Sequence, residues 1–64
     1  MNFERIKTIG QGFIETDSGN GWSPKGARLG DIVEKTEKGY RLLSTDELVA
    51  HLDEYKHLLH PNFQ

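Results

Sequence analysis

Leu43-Ser44-Thr45-Asp46-Glu47-Leu48 decides how the rest of the chain is read, because it carries every signal of a helix start. The Ser44 hydroxyl is placed to accept from the backbone N–H of Glu47, a donor that the first turn leaves unpaired. The Glu47 carboxylate is placed to accept in return from the N–H of Ser44. Leu43 before the cap and Leu48 after it form a hydrophobic staple, and Asp46 and Glu47 sit where the helix dipole favours negative charge. These signals predict one helix from Thr45 to Leu59. Along it Leu48, Val49, Leu52, Tyr55, Leu58 and Leu59 recur at helical spacing on one side, with Asp46, Ala50, Asp53, Glu54 and His57 on the other. The stem of Lys56 flanks the apolar stripe, and Pro61 ends the helix by disfavouring helical geometry at His60.

A stripe of this kind needs a surface to lie on, and only the residues before it can supply one, so they are read as sheet. Asp31–Thr36 is a strand, Glu37-Lys38-Gly39 a three-residue connection with glycine at the left-handed position, and Tyr40–Leu43 the returning strand. Phe3–Thr16 is rich in β-branched and aromatic residues. Its alternation is broken, since Ile6, Thr8 and Ile14 share one parity and Ile9 and Phe13 the other, with Gly10-Gln11-Gly12 between them. Such glycines mark a bulge or bend, in one bent strand or between two short ones. Residues 17–30 read as a long glycine-rich loop, with Asn20-Gly21 as a tight turn and Gly30-Asp31 as the turn into the next strand. No internal repeat is visible, and Pro61-Asn62-Phe63-Gln64 is a tail in which Phe63 folds back or frays.

The expectation is an α+β fold: a small, strongly bent antiparallel sheet of three to five strands, of which an SH3-like partial barrel is one form, with the C-terminal helix packed against it. The expected core is Ile6, Ile9, Phe13, Ile14, Ile32, Val33, Tyr40, Leu42, Leu48, Leu52, Tyr55 and Leu59. A chain of 64 residues is a single domain (1–43 β-rich, 45–59 helix, 61–64 tail), and one this small buries only about 60% of the surface its unfolded chain exposes. It has no cysteine, which fits a reducing compartment and leaves no disulfide or thiolate zinc site. No run resembles a signal peptide or approaches the roughly 20 apolar residues that span a bilayer. These features predict a cytoplasmic protein, either monomer or homodimer, and a short chain beginning at Met1 resembles a small bacterial or phage product.

The net charge of -2 is unevenly spread. The part up to Ser44 is near neutral and the helix is acidic, so phosphate is repelled by the helix and nucleic acid would have to bind elsewhere. His51, His57 and His60 are the candidate soft-metal ligands, but on a helix His51 and His57 project about 120° apart, and no metal site is assigned. His51 fits better as a half-buried hydrogen-bonding group. Asp17-Ser18-Gly19-Asn20-Gly21 lacks the alternating oxygen ligands of a calcium loop. The two Gly-x-Gly spacings, at Gly10 and Gly19, lack the third glycine and following helix of a dinucleotide site, so no cofactor is expected. No spacing ties a nucleophile to a base, and so small a domain has little room for a water-excluding cleft, so the chain is read as not an enzyme.

The stretch from Trp22 to Arg28 is the most suggestive, with the only tryptophan next to Lys25 and Arg28 on a loop. It suits anchoring a protein or stacking on a base, although a small core needs large apolar residues, which slightly favours Trp22 closing the end of a barrel or capping the sheet. Arg5, Lys7, Lys35, Lys38 and Arg41 are interleaved with Glu4, Glu34 and Glu37, which describes a solvated mixed-charge face. The leading expectation is a non-enzymatic protein-binding module that meets its partner through Trp22, Lys25 and Arg28 or through the acidic face of Asp46, Asp53 and Glu54. The alternative is a nucleic-acid-binding β-barrel using Trp22, Lys25 and Arg28, with Lys35 and Lys38.

Overall fold

The computed structural model describes residues 2–59. Six strands, β1 (Phe3–Arg5), β2 (Thr8–Ile9), β3 (Phe13–Thr16), β4 (Gly19–Trp22), β5 (Ile32–Thr36) and β6 (Gly39–Leu42), precede two helices, α1 (Thr45–Ala50) and α2 (Leu52–Leu59). The α+β class is as expected. In place of one bent sheet of three to five strands, however, there are two three-stranded antiparallel sheets, ordered β1-β5-β6 and β2-β3-β4. The bend lies at Ile6-Lys7. The Ile6 N–H donates to the Asp31 carbonyl beside one sheet and the Lys7 N–H to the Glu15 carbonyl of the other, so the chain changes sheets between adjacent residues. Gly10-Gln11-Gly12 is then the connection between β2 and β3, closed by the Gly10 N–H on the Phe13 carbonyl, with Gly12 at a φ of +81°.

The β1-β5-β6 sheet is covered on both faces. Phe3 and Ile32 face Tyr55 of α2, joined by Leu43, Leu48 and Leu58. Val33 faces the other way, onto Ile6 and Ile14, joined by Ala27, Tyr40 and Leu42. This double cover is why the neighbours Ile32 and Val33 are both buried. Four expected core residues are exposed instead: Ile9 and Phe13 on the second sheet, and Leu52 and Leu59 on α2. Phe3, which the expected core omitted, is buried because its strand lies under the helices.

The β3–β4 and β5–β6 hairpins turn on the same four-residue pattern. In Thr36-Glu37-Lys38-Gly39 the threonine hydroxyl accepts from the Lys38 N–H and donates to the Gly39 carbonyl at 2.9 Å. In Thr16-Asp17-Ser18-Gly19 the threonine hydroxyl accepts from the Ser18 N–H and meets the Tyr40 hydroxyl at 2.9 Å, linking the two sheets. In each the glycine takes the positive φ. The expected loop at 17–30 therefore begins with a hairpin: Asn20-Gly21 is not a turn but lies inside β4, opposite Glu15 and Ile14. Gly39 has the expected left-handed geometry, though it opens β6 opposite Thr36 and the connection is two residues, not three.

The capping box at Ser44 and Glu47 is formed in both directions, at 3.2 and 3.1 Å. The single helix expected over Thr45–Leu59 is instead broken at His51. There the Tyr55 hydroxyl donates to the Leu48 carbonyl at 2.7 Å, the acceptor that an unbroken helix would offer to Leu52. The Phe3 ring sits 5.5 Å from His51 and 5.8 Å from Tyr55, so the bend wraps the chain around Phe3. It turns Leu48, Tyr55 and Leu58 inward at the expense of Leu52 and Leu59. His51 is half-buried and hydrogen-bonded to Glu54, the role expected of it. The expected stop at Pro61, His60 and the tail with Phe63 lie outside the described residues.

Arg41 locks helix to sheet: it pairs with Glu34 on the adjacent strand and forks onto both oxygens of Glu47, at 3.2 and 2.6 Å. Arg41, then the Ser44 N–H, hold the Glu47 carboxyl down to about 2. The unfolded chain therefore binds a proton here before the fold does, so this stabilisation is complete above about pH 4.5 and is lost as the pH falls toward 2. Thermal midpoints followed by circular dichroism are expected to drop across that window, and Glu47→Gln to start lower at neutral pH and drop less. In urea titrations Ile14→Ala is expected to cost about 2–5 kcal/mol, because Ile14 is wholly enclosed, whereas exposed Val49→Ala should stay within about 0.5 kcal/mol.

Candidate functional site

The outer face of the β2-β3-β4 sheet carries the most exposed aromatic surface of the described residues. Ile14 and Thr16 are buried, so their alternates Phe13 and Glu15 must point outward. The register then places Trp22 directly opposite Phe13, and Asn20 opposite Glu15, on that same outer face. Trp22 is 81% exposed and Phe13 42%. Trp22 thus closes no barrel end, and Phe13 is a surface residue and not a core one.

Glycines shape this arrangement. A Cβ on Gly10 would collide with the Phe13 ring, so that ring lies over bare backbone, whereas one on Gly12 would stand in ordinary contact with the Trp22 ring, at 3.6 Å. On the inner face a Cβ on Gly21 would come within 3.0 Å of the Tyr40 ring, which packs there beneath β4. Phe13 and Trp22 make no ring contact with each other; they flank a shallow groove of about 460 Å³ lined by Gln11, Phe13, Asn20, Gly21 and Trp22. None of these lining residues is charged. A second depression, of about 380 Å³, is lined by Arg5, Ile6, Lys7, Leu29 and Gly30, and there Lys7 is paired with Asp17 at 2.9 Å.

The other expected site residues lie elsewhere. Lys25 and Arg28 are exposed on the connection after β4 but line neither depression. The backbone N–H of Arg28 is held by the Asp31 carboxylate, and Ala27, between Lys25 and Arg28, packs against the inner core. Asp46, Asp53 and Glu54 are exposed on the helices, across the central sheet from Trp22. Asp53 pairs there with Lys56 and Glu54 with His51. The Trp22 surface and the acidic surface are thus two separate faces. Lys35 lies 5.4 Å from the centre of the Tyr40 ring. Among the described residues no three of His, Asp and Glu converge as a metal site, and no helix is long and apolar enough to cross a membrane.

Compared with known protein families, curated proteins and solved structures, the chain matches none. Phe13, Gln11 and Asn20 were not expected at the site; their signal was the register that pairs β3 with β4, which is invisible until the turn is placed at Asp17-Ser18. Trp22 fluorescence is expected to peak at the red wavelength of a hydrated indole and to be freely quenched by iodide. Trp22→Ala should change unfolding free energy by no more than about 0.5 kcal/mol. A blue, quencher-resistant emission would contradict the exposed placement.

Proposed function

We propose that the chain is a small, non-enzymatic cytoplasmic binding module whose outer β3–β4 face docks another protein. The observation that carries this reading is the side-by-side exposure of Phe13 and Trp22. Enclosing one such aromatic side chain contributes on the order of 4 kcal/mol. The whole stability of a domain this size is roughly 3–10 kcal/mol. A chain with so little margin leaves most of Trp22 and part of Phe13 in water, and a protein partner that covers them recovers the remaining burial at a well-defined anchor.

Nucleic acid is the second reading, supported by the same exposed Trp22, since bases stack on such rings. It ranks lower because a strand also needs cations along its phosphates, and the lining of this groove has none. The acidic helix face of Asp46, Asp53 and Glu54 is assigned no part in this contact. A photocrosslinking residue at Gln11 is expected to join a protein in extracts of the source cells. Trp22→Ala should abolish that adduct, and an Asp53→Lys/Glu54→Lys pair should leave it intact. Adducts with nucleic acid, or protein adducts that survive Trp22→Ala, would refute the assignment.

A further inference from the structure

We infer that the segment docked between Phe13 and Trp22 is proline-rich and in the polyproline II conformation, an inference that rests on the protein-docking reading above. Directly opposed side chains on antiparallel strands start about 4.5–5.5 Å apart at Cβ. Here they do not close on each other: Phe13 leans over Gly10 and Trp22 over Gly12, which leaves a slot with aromatic walls and Gly21 in its lining. Aromatic-lined grooves are the surfaces on which proline-rich segments dock.

The polar groups at the groove match the same ligand. The indole N–H of Trp22 is a donor only, and the side-chain amides of Gln11 and Asn20 each bring N–H donors beside a carbonyl acceptor. A polyproline II segment has no internal hydrogen bonds, and its prolines lack an N–H, so its backbone offers carbonyl acceptors almost exclusively. Charge narrows the choice further. The groove is lined by no charged side chain, so its complement is an uncharged surface, not a phosphate chain or a strongly acidic or basic peptide. The groove is also shallow, and a shallow site favours a ligand that is already ordered, because less conformational entropy is lost on binding.

The test uses the full chain and fluorescein-labelled decapeptides: decaproline, an array with P-x-x-P cores, and a glycine-serine control. Cellohexaose and oligothymidylate serve as competitors. Proline-rich peptides are expected to raise anisotropy saturably and with little dependence on salt. Phe13→Ala and Trp22→Ala should each weaken binding by about tenfold or more, while Lys25→Ala leaves it unchanged. Circular dichroism of the variants separates lost binding from lost folding. The inference is overturned if no proline-rich peptide binds, if binding survives both aromatic truncations, or if cellohexaose or oligothymidylate occupies the groove instead. If a Trp22-dependent protein adduct forms at Gln11 but the joined segment holds no proline, this inference falls and protein docking stands. If no protein adduct forms, both fall.

Discussion

Ile32 and Val33 are adjacent in the chain and both are buried, which a strand allows only when its two faces are covered. The rest of the molecule follows from that constraint. One cover is the helical segment, which brings Tyr55, Leu48 and Leu58 onto Phe3 and Ile32. The other is the second sheet, which brings Ile14 onto Val33 and Ile6. A chain of 64 residues has little left after building these layers. It economises by letting the segment from Phe3 to Ile9 contribute a strand to each sheet, with Ile6 at the crossing enclosed between them.

The helical cover is matched to the sheet by polar geometry as well as by apolar contact. Glu47 caps its own helix through Ser44 and receives the fork of Arg41 from β6, so the helix start and its attachment to the sheet depend on one carboxylate. The break at His51 serves the same fit from the other end. A straight helix would present Leu52 and Leu59 on the stripe with Leu48 and Tyr55. The bent one follows the ring of Phe3, and the Tyr55 hydroxyl satisfies the carbonyl exposed by the break. Both pairs are partly exposed, so their value lies in orientation more than in Coulomb energy.

Local chemistry was legible in the sequence, and long-range register was not. The cap at Ser44, the β5–β6 hairpin, the left-handed Gly39 and the poised His51 all depend on residues a few positions apart, and each could be read directly. Whether Phe13 or Ile14 faces inward depends on what lies opposite, and that partner is set by a turn at Asp17-Ser18 whose signal, a threonine hydroxyl two residues before the second corner, is weaker than the competing Asn20-Gly21. With a turn at Asn20-Gly21 instead, β4 reads as loop and no partner opposite Phe13 marks it as outward-facing, while a bend at Gly10-Gln11-Gly12 lets both parities count as core. Phe3 was overlooked for a related reason: it stands at the chain start, and only its pairing with Glu34 in the central sheet brings it beneath Tyr55.

The same layering explains why an aromatic groove exists where it does. The helices occupy one side of the central sheet and the second sheet the other, so the outer face of the second sheet is the face that nothing in the described chain covers. An uncovered sheet face ordinarily carries polar side chains, as Thr8, Glu15 and Asn20 do here. Phe13 and Trp22 break that rule together and at paired positions. They do so beside Gly10, whose missing side chain gives the Phe13 ring a place to lie, and Gly12, next to the Trp22 ring. A purely structural role for Gly10 and Gly12 would require only the turn between β2 and β3, which Gly12 alone, at positive φ, supplies. Gly10 has no such conformational need, and the contact that excludes a side chain there is the Phe13 ring itself. The bare backbone at Gly10 thus lets the Phe13 ring lie on the β2–β3 connection while the second sheet keeps its outer face open.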